Sequence, residues 1–447
     1  MIIHGVGETM HFQNPELAAL IPSGRYRAGD LSRIEAELRS HGTLTFARLP
    51  SDLFSASSAG ESIAASGYGN VWVRDNVYVA YAHHVAGQTP VAAGVARALI
   101  TFFDRHRGRF EAIIAGAVDP QDVSKRPHVR FDGYTLEEIP NQPWSHAQND
   151  ALGYFLWLYA RLAHSGDVAL DAPALSTLAL FPRYFEAIRF WQDEDSGHWE
   201  EVRKISASSI GTVMAGLDAL LLLARERATT FQSKPFGVRL VDATANLVDR
   251  GRTALESILP HECAQLAPNK NRRYDAALLF LLFPLGVIEG PMVDLLLHDV
   301  DRFLKGEFGV RRYLGDSYWA PDYEERLPAR DRTRDFSEDM ETRDVLLERI
   351  DDEAQWCLFE PILSAYYGRR FLATRAPSDA EQQTLHFNRA LAQVTESWRC
   401  PELYYLRHGE YAPNPHAPLQ WTQANLVLAL EAMRATVGPH ASQPVPF

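Results

Sequence analysis

The 447-residue chain is poor in cysteine, with only Cys263, Cys357 and Cys400, and none of them forms a CxxC pair. An odd number of scattered cysteines argues against a disulfide framework or a zinc cluster and is typical of a reducing compartment. The first residues lack a basic stretch followed by an apolar one, so we predict no signal peptide and a cytoplasmic location. The longest apolar run, AALLFLLFPLGVI, is too short for a membrane span and contains Pro284.

Positive charge is also in short supply. The chain has 44 Lys and Arg against 57 Asp and Glu, a formal net charge of -13. Such a balance is a poor match for nucleic acid or an anionic membrane, so we expect neither as a partner. Walker A, GxSxG and HExxH motifs are absent, and the histidines show no ligand spacing, which predicts no cofactor and no metal. A neutral small molecule or oligosaccharide is the expected partner, and the oligomeric state is left open.

What the chain does contain is a repeated arrangement of short polar stretches that run into apolar segments. Each apolar segment is hydrophobic nearly all round, as expected for a buried helix. The six stretches are GNVWVRDNVYVAYAHHVAG, PWSHAQNDALGYFLWLYARLA, HWEEVRKISASSIGTVMAGLDALLLLA, NRRYDAALLFLLFPLGVI, DDEAQWCLFEPILSAYYG and PLQWTQANLVLALEAMRA.

The segments between these stretches carry apolar residues at i, i+3 and i+4, the period of an amphipathic surface helix. Alternation of buried and amphipathic helices predicts an all-α (α/α)6 barrel that forms a single domain over residues 1–447. A helical repeat solenoid is the structural alternative, but the units share no fixed period or signature.

The polar residues of the first three stretches gather at the amino-terminal end of each buried segment. In a barrel the inner helices point the same way, so these ends would line one pocket. In the first stretch, Trp72, Arg74 and Asp75 have the chemistry of a sugar clamp: a ring for the C–H face and polar groups for hydroxyls. The alternative is a core tryptophan, a surface arginine and an aspartate that caps the helix.

The second stretch repeats the theme with Trp144, followed by Gln148, Asn149 and Asp150. Amide and carboxylate neighbours supply donors and acceptors together, as sugar hydroxyls require. The alternative is again capping of the helix that follows.

The third stretch places Glu200 and Glu201 behind Trp199. Adjacent residues diverge by about 100° on a helix, so the two carboxylates cannot reach one atom and would have separate roles. Burial against the tryptophan, with a like charge beside it, would raise the pKa of one of them, as a general acid requires. The alternative is an acidic helix start, with SASS as capping residues.

Taken together and in this order, the stretches resemble the glucoamylase family (glycoside hydrolase family 15). They are equally similar to the related domain of the phosphorylase kinase α and β subunits. The most specific matches are VWVRDNVY and FWQDEDSGHWEEVRKISASSIGTVMAGLDAL, and GVRRYLGDSYW and DDEAQWCLFEPIL support them. The resemblance implies an (α/α)6 barrel. The separate starch-binding domain of many glucoamylases is not expected here.

The resemblance also implies roles for individual residues. Glu200 matches the general acid, and Glu402 in PELYY is the candidate general base. The remaining matches are to substrate-binding positions, which are Trp72, Arg74, Asp75, Trp144, Gln148, Asn149, Asp150, Trp199, Glu201 and Arg312.

The function predicted on this basis is an inverting glycoside hydrolase that releases glucose from α-linked glucosides or oligosaccharides. One alternative is a phosphorylase-kinase-like protein that binds saccharide without turnover, because ELYY is closer to the kinase version of that stretch. A transglucosylase or a trehalase on the same fold is a further alternative.

Overall fold

The computed structural model describes residues 2–5, 8–57, 67–140, 144–232, 235–334 and 336–437. Twelve helices in this part of the chain form two concentric rings. The inner helices are α2 (Val73–Val85), α4 (Asn149–His164), α6 (Ala207–Glu226), α8 (Leu279–Leu282), α10 (Phe359–Thr374) and α12 (Gln420–Val437). The outer helices are α1 (Ala28–Ser40), α3 (Thr89–Arg105), α5 (Leu180–Ile188), α7 (Gly237–Ile258), α9 (Pro291–Asp299) and α11 (Pro377–Ala392).

The inner ring closes on itself. Each inner helix contacts the next one along the chain, and α12 returns to pack against α2. The outer helices cover this ring: α3 packs on α2, α7 on α6, α11 on α10 and α1 on α12. The predicted (α/α)6 barrel is therefore confirmed.

Burial separates the two rings as the hydrophobic pattern indicated. Helix α4 buries every residue except Arg161 and His164, whereas α1 buries only Leu31, Ile34 and Leu38, which share one face. Helix α6 is the one described helix with the length and hydropathy of a membrane span, but most of it is buried against α4 and α7.

The fourth inner helix is shorter than the sequence indicated. The run around Leu281 was predicted to be one buried helix. The structure instead has a 3₁₀ turn, Ala276–Leu278, followed by the four residues of α8. Phe283 is extended, with φ −145° and ψ 131°, because the ring of Pro284 disfavours helical geometry in the residue before it. The prediction of burial was right and that of helical length was wrong.

Ten short strands, none of them predicted, lie in the described residues. Four form an antiparallel sheet in the order β10-β9-β8-β7, in which Trp356 pairs with both Val310 and Leu403. This sheet holds the stretches around residues 310–312, 355–356 and 402–405 side by side. The strands are β1 (Ile2–Gly5), β2 (Glu8–His11), β3 (Val71–Trp72), β4 (Arg130–Phe131), β5 (Cys263–Ala264), β6 (Asn271–Arg272), β7 (Val310–Arg311), β8 (Gln355–Trp356), β9 (Leu403–Arg407) and β10 (Glu410–Pro413).

Short helical segments complete the connections. They are the α-helices Pro15–Ala18, Gly108–Ile114, Ala172–Leu178, Ala228–Phe231, Tyr323–Arg326 and Met340–Leu346, the 3₁₀ turns Val123–Lys125, Gly197–Trp199, Pro268–Lys270 and Ala329–Asp331, and the π-helical turn Val300–Leu304.

Helices α4 and α6 approach each other through glycine. A Cβ added at Gly153 would lie 2.8 Å from the carbonyl carbon and oxygen of Thr212, and one at Gly216 would lie 2.5 Å from the Gly153 oxygen. These contacts are with main-chain atoms, which cannot move aside as the end of a flexible side chain can. We expect Gly153→Ala to lower the free energy of unfolding by about 1–3 kcal/mol, measured by denaturant titration.

Gly29→Ala in α1 is the matched control. A Cβ at Gly29 meets nothing within 4 Å, so the substitution should be neutral or stabilise by up to about 1 kcal/mol. Equal stability of the two variants would contradict the close approach of α4 and α6.

Candidate active site

A cavity of about 660 Å³ opens where the inner helices begin. This volume falls in the usual range for small-molecule sites. The chain at the starts of the first three inner helices contributes to its walls, as predicted, through residues such as Trp72, Trp144 and Glu200. The starts of α10 and α12 contribute as well. The predicted residues that line it are Trp72, Arg74, Asp75, Trp144, Trp199, Glu200, Glu201, Arg312 and Glu402.

Arg74 joins the beginnings of three inner helices. Its Nη1 donates to Asp150 Oδ2 at 2.7 Å and to Gln148 Oε1 at 3.3 Å, and its Nη2 donates to Glu200 Oε1 at 3.0 Å. Arg74 is 3% exposed, so the suggestion that it is a surface arginine is wrong. A buried guanidinium paired with two carboxylates is held firmly in one orientation.

Gln148, Asn149 and Asp150 do not line the cavity. Gln148 and Asp150 hold Arg74, while Asn149 Nδ2 donates to Asp193 Oδ2 at 2.9 Å. Direct contact of these three residues with a sugar, implied by the resemblance, is therefore not the arrangement found. They lie behind the wall because α4 begins at Asn149 and its first turn is buried.

Capping does not account for the polar residues at the helix starts. Asp195 Oδ2 accepts from the Asn149 amide at 2.9 Å, and Glu262 Oε2 accepts from the Ser208 amide at 3.0 Å. The caps of α4 and α6 are thus carboxylates from other parts of the chain. The three proposed capping groups, Asp75, the Asn149–Asp150 pair and the serines after Glu200, make no side-chain cap at the N-cap positions of α2, α4 and α6.

Glu200 occupies a strained backbone position. It ends the 3₁₀ turn Gly197–Trp199 with φ 59° and ψ 34°, a left-handed conformation that costs a non-glycine residue roughly 1–3 kcal/mol. The side chain remains 18% exposed, towards the cavity. Burial raises the pKa of Glu200, and the positive charges of Arg74 and Arg130 oppose that rise without cancelling it. The group is therefore biased towards its protonated form.

Glu201 has the opposite surroundings. Its Oε1 accepts from Lys204 at 2.7 Å and Arg272 at 2.6 Å, and its Oε2 accepts from Tyr313 at 2.6 Å. Burial alone would raise the pKa of Glu201, but Arg272 and Lys204 outweigh it and hold the pKa well below its usual range. The two adjacent glutamates thus diverge as predicted. The direct role of Glu201 in sugar binding stays a prediction.

Glu402 precedes β9 and is 3% exposed. Its Oε1 accepts from the Tyr68 hydroxyl at 2.7 Å, and its Oε2 accepts from Asn414 Nδ2 at 2.6 Å and faces His416 Nδ1 at 3.0 Å. The neighbouring tyrosines of PELYY are not among these partners. Three fixed contacts hold the carboxylate in one orientation in the cavity wall.

Asp75 lies in the electrostatic field of both catalytic candidates. Burial raises the pKa of Asp75 to about 7; Arg74 opposes the rise, and the charges of Glu200 and Glu402 add to it. Among the described residues, no side chain donates a hydrogen bond to the Asp75 carboxylate. Its oxygens are available to hydroxyl groups of a ligand in the cavity.

A two-point ion pair with Asp316 fixes the guanidinium of Arg312. Asp316 accepts from its Nε at 2.6 Å and from its Nη2 at 2.7 Å. The guanidinium lies 4.9 Å from the ring centres of both Tyr318 and Trp356. Arg312 is therefore part of an aromatic wall of the cavity, and its contact with a sugar stays a prediction.

Several cavity residues were missed from the sequence. Tyr68, Tyr318, Trp356 and Trp421 line the space with the predicted set. Each lies in a quoted stretch or next to one: Tyr68 is four residues before Trp72, and Trp421 is the second residue of the last inner helix. The sequence signal for such residues was their position at or near the start of an inner helix. The prediction of a shared pocket used this signal for only the first three of the six inner helices.

Three side chains outside the cavity have the residue types and spacing of possible metal ligands. Asp322, Glu325 and His408 offer ligand atoms within 4.8 Å of one another, but none of them lines the cavity. They are paired with each other on the surface, through contacts such as His408 Nε2 to Glu325 Oε1 at 2.9 Å.

The fold is an (α/α)6 barrel with a polar and aromatic pocket where its inner helices begin, and comparison with known proteins identifies the family. The model of "Glycosyl hydrolases family 15" matches residues 51–320, and the chain belongs to that family. Glycoside hydrolase chemistry is the type of function that this family and fold support.

Two solved structures share the fold. A glycosidase in complex with glucose superposes with a TM-score of 0.65 at 19% identity, covering 92% of this chain and 99% of that one. A bacterial glucoamylase complexed with acarbose gives 0.55 at 16% identity, covering 86% of this chain and 53% of that one.

A curated relative carries a different name. The "Probable phosphorylase b kinase regulatory subunit alpha" of Drosophila melanogaster is 23% identical over 364 residues, which are 74% of this chain and 27% of that protein. The chain thus spans about a quarter of the length of this relative.

The buried anion Glu201 gives a stability test with a defined pH dependence. Its folded pKa lies below the unfolded value, so its stabilisation is complete above about pH 5 and is lost as pH falls through the folded pKa. At pH 7, Glu201→Gln leaves Lys204 and Arg272 without their shared anion and should cost about 3–5 kcal/mol of unfolding free energy.

Denaturant titrations at several pH values measure the difference between wild type and variant. Glu381→Gln, at an exposed position on α11, is the control and should change stability by less than about 0.5 kcal/mol. A Glu201→Gln deficit that stays constant down to about pH 3 would show that the ion pairs are not its source.

Proposed function

We propose that this protein is an inverting, exo-acting α-glucosidase of glucoamylase type, with Glu200 as general acid and Glu402 as general base. The observation that carries the proposal is the contrast between two carboxylates in the wall of one cavity. Glu200 has a raised pKa, and Glu402 is bound by hydrogen-bond donors.

The acid role of Glu200 follows from its surroundings. A group that protonates a glycosidic oxygen must hold its proton near neutral pH, and burial raises the pKa of Glu200 in that direction. The left-handed backbone turns its side chain to the cavity while Glu201 turns to the cations behind the wall. Glu201 holds Lys204, Arg272 and Tyr313 and remains the proposed sugar-binding neighbour of the acid.

The base role of Glu402 also follows from its contacts. Oε1 accepts one hydrogen bond, from Tyr68, and keeps a lone pair for a water molecule. In an inverting reaction this water attacks the anomeric carbon on the face opposite the leaving group, and its proton passes to Glu402. The bond from that carbon to the glycosidic oxygen breaks as Glu200 gives that oxygen its proton.

The remaining cavity groups suit a neutral sugar. Arg74 and Asp75 offer donors and acceptors from α2, and Arg312 offers a guanidinium from the other side. Trp72, Trp144 and Trp199 provide rings for C–H faces. The glucose and acarbose complexes of the structural neighbours support an α-glucoside as the substrate class.

The roles are tested by substituting Glu200→Gln and Glu402→Gln separately. Each removes one proton-transfer group and keeps the shape of the side chain, so kcat should fall by about 10²–10⁴-fold in both variants. The assay follows glucose release from maltose, isomaltose, trehalose and longer α-glucans. Glu381→Gln is the matched control, and it should keep wild-type rates.

Wild-type turnover in either active-site variant would refute the role of that residue. The same panel identifies the preferred linkage of the wild-type protein, and product analysis at high sugar concentration detects transfer to a second sugar.

The second candidate function is saccharide binding without turnover. The observation that favours it is the kinase-subunit name of the curated relative. Calorimetry with acarbose and maltose, followed by a long incubation and sugar analysis, separates the two functions. Tight binding with unaltered maltose would favour a regulatory binding protein over a hydrolase.

A further inference from the structure

Arg130 is a buried cation without an anionic partner. It is 2% exposed, yet no carboxylate oxygen of the described residues lies within 4.0 Å of its guanidinium. Its Nη2 donates to the backbone oxygen of Gly67 at 3.2 Å, and its Nε is buried without an acceptor. Burial of a charge is costly unless the charge is paired, so this arrangement calls for an explanation.

Each of the other buried arginines in the described part of the chain has a carboxylate partner. Arg74 binds Asp150, Arg126 binds Asp193 at 2.8 Å, Arg312 binds Asp316 and Arg389 binds Glu360 at 2.6 Å. Arg130 therefore differs from the other buried arginines of this protein, each of which forms an ion pair.

Aromatic rings replace the missing anion. The guanidinium carbon of Arg130 lies 4.5 Å from the ring centre of Trp72 and 3.8 Å from that of Trp144. Trp72 is also its direct cross-strand neighbour, because β3 pairs with β4 at Trp72 and Arg130. Both rings line the cavity, so the cation fixes the two aromatic walls at one corner.

The same corner faces the acid. Trp72 and Glu200 line the same cavity, and both Trp72 and the positive charge of Arg130 lower the pKa of Glu200. Burial lowers the pKa of Arg130 to about 10, and the charges of Glu200 and Tyr68 work against that fall. The charged groups with the largest effect on the pKa of Glu200 are Arg74 from α2, Arg130 from β4 and Asp150 from α4. Asp75 from α2 also interacts with Glu200, and Glu402 and Arg312 line the same cavity.

We propose that Arg130 is a positioning residue of the acid, which holds Trp72 and Trp144 in place and directs an uncompensated positive charge at Glu200. This inference rests on the proposed function for its effect on turnover, but its effect on Glu200 is separate. Arg74 shares its charge between Asp150 and Glu200, whereas Arg130 has no carboxylate partner of its own among the described residues.

The test replaces Arg130→Met, which removes the charge and keeps an unbranched side chain. The pKa of Glu200, read by 13C NMR of glutamate-labelled protein and assigned with Glu200→Gln, should rise by roughly one unit. The alkaline limb of the kcat/KM profile should move to higher pH by the same amount, because the acid works in its protonated form. Arg33→Met, at an exposed position on α1, is the control and should change neither.

Arg130→Lys separates the two parts of the role. It keeps the charge, so the pKa of Glu200 should stay near the wild-type value, while KM should rise because an ammonium does not stack on the rings as a guanidinium does. If Arg130→Met fails to fold, Arg130→Gln removes the same charge and is measured in its place.

An unchanged Glu200 titration in the charge-removing variant overturns the inference. Failure of the wild-type protein to hydrolyse any α-glucoside would refute the proposed function alone. The NMR titration then still decides the role of Arg130.

Discussion

The ion pairs of Arg74 are the interaction on which both the barrel and its pocket depend. Arg74 belongs to the first turn of α2, Asp150 to the first turn of α4, and Glu200 to the turn that leads to α6. Since all three groups are largely buried, the pairs fix how three consecutive inner helices begin at one rim. The closed ring then brings the starts of α10 and α12, with Trp356 and Trp421, to the same cavity.

The carboxyl groups of this cavity have different pKa values because their surroundings differ, even where they are neighbours in sequence. Glu200 and Glu201 are adjacent, but the pKa of one is raised by burial and that of the other is held low by Arg272 and Lys204. Burial and the negative charges of Glu200 and Glu402 raise the pKa of Asp75 to about 7, although Arg74 opposes the rise. Hydrolysis of an uncharged sugar needs this kind of difference, because an acid and a base must coexist at one pH. The assignment of roles therefore rests on contacts that local sequence does not display.

Much of the fold was predictable because the burial of a helix determines the spacing of apolar residues in its sequence. Inner helices are apolar all round and outer ones on one face, and the alternation survives in the structure. The prediction failed at Phe283, where proline overrides a helical pattern, and at strands of two residues, which are too short to show a period. The partners of Glu402 were beyond reach for another reason: Tyr68 is 334 residues away in sequence, and only the closed ring brings it near.

The most direct test of the central claim is the configuration of the first sugar released. If Glu402 activates a water opposite the bond that Glu200 protonates, 1H NMR during early turnover of an α-glucoside will show the β anomer of glucose before mutarotation. Initial appearance of α-glucose would contradict the account, because retention requires a covalent intermediate on a carboxylate placed as a nucleophile.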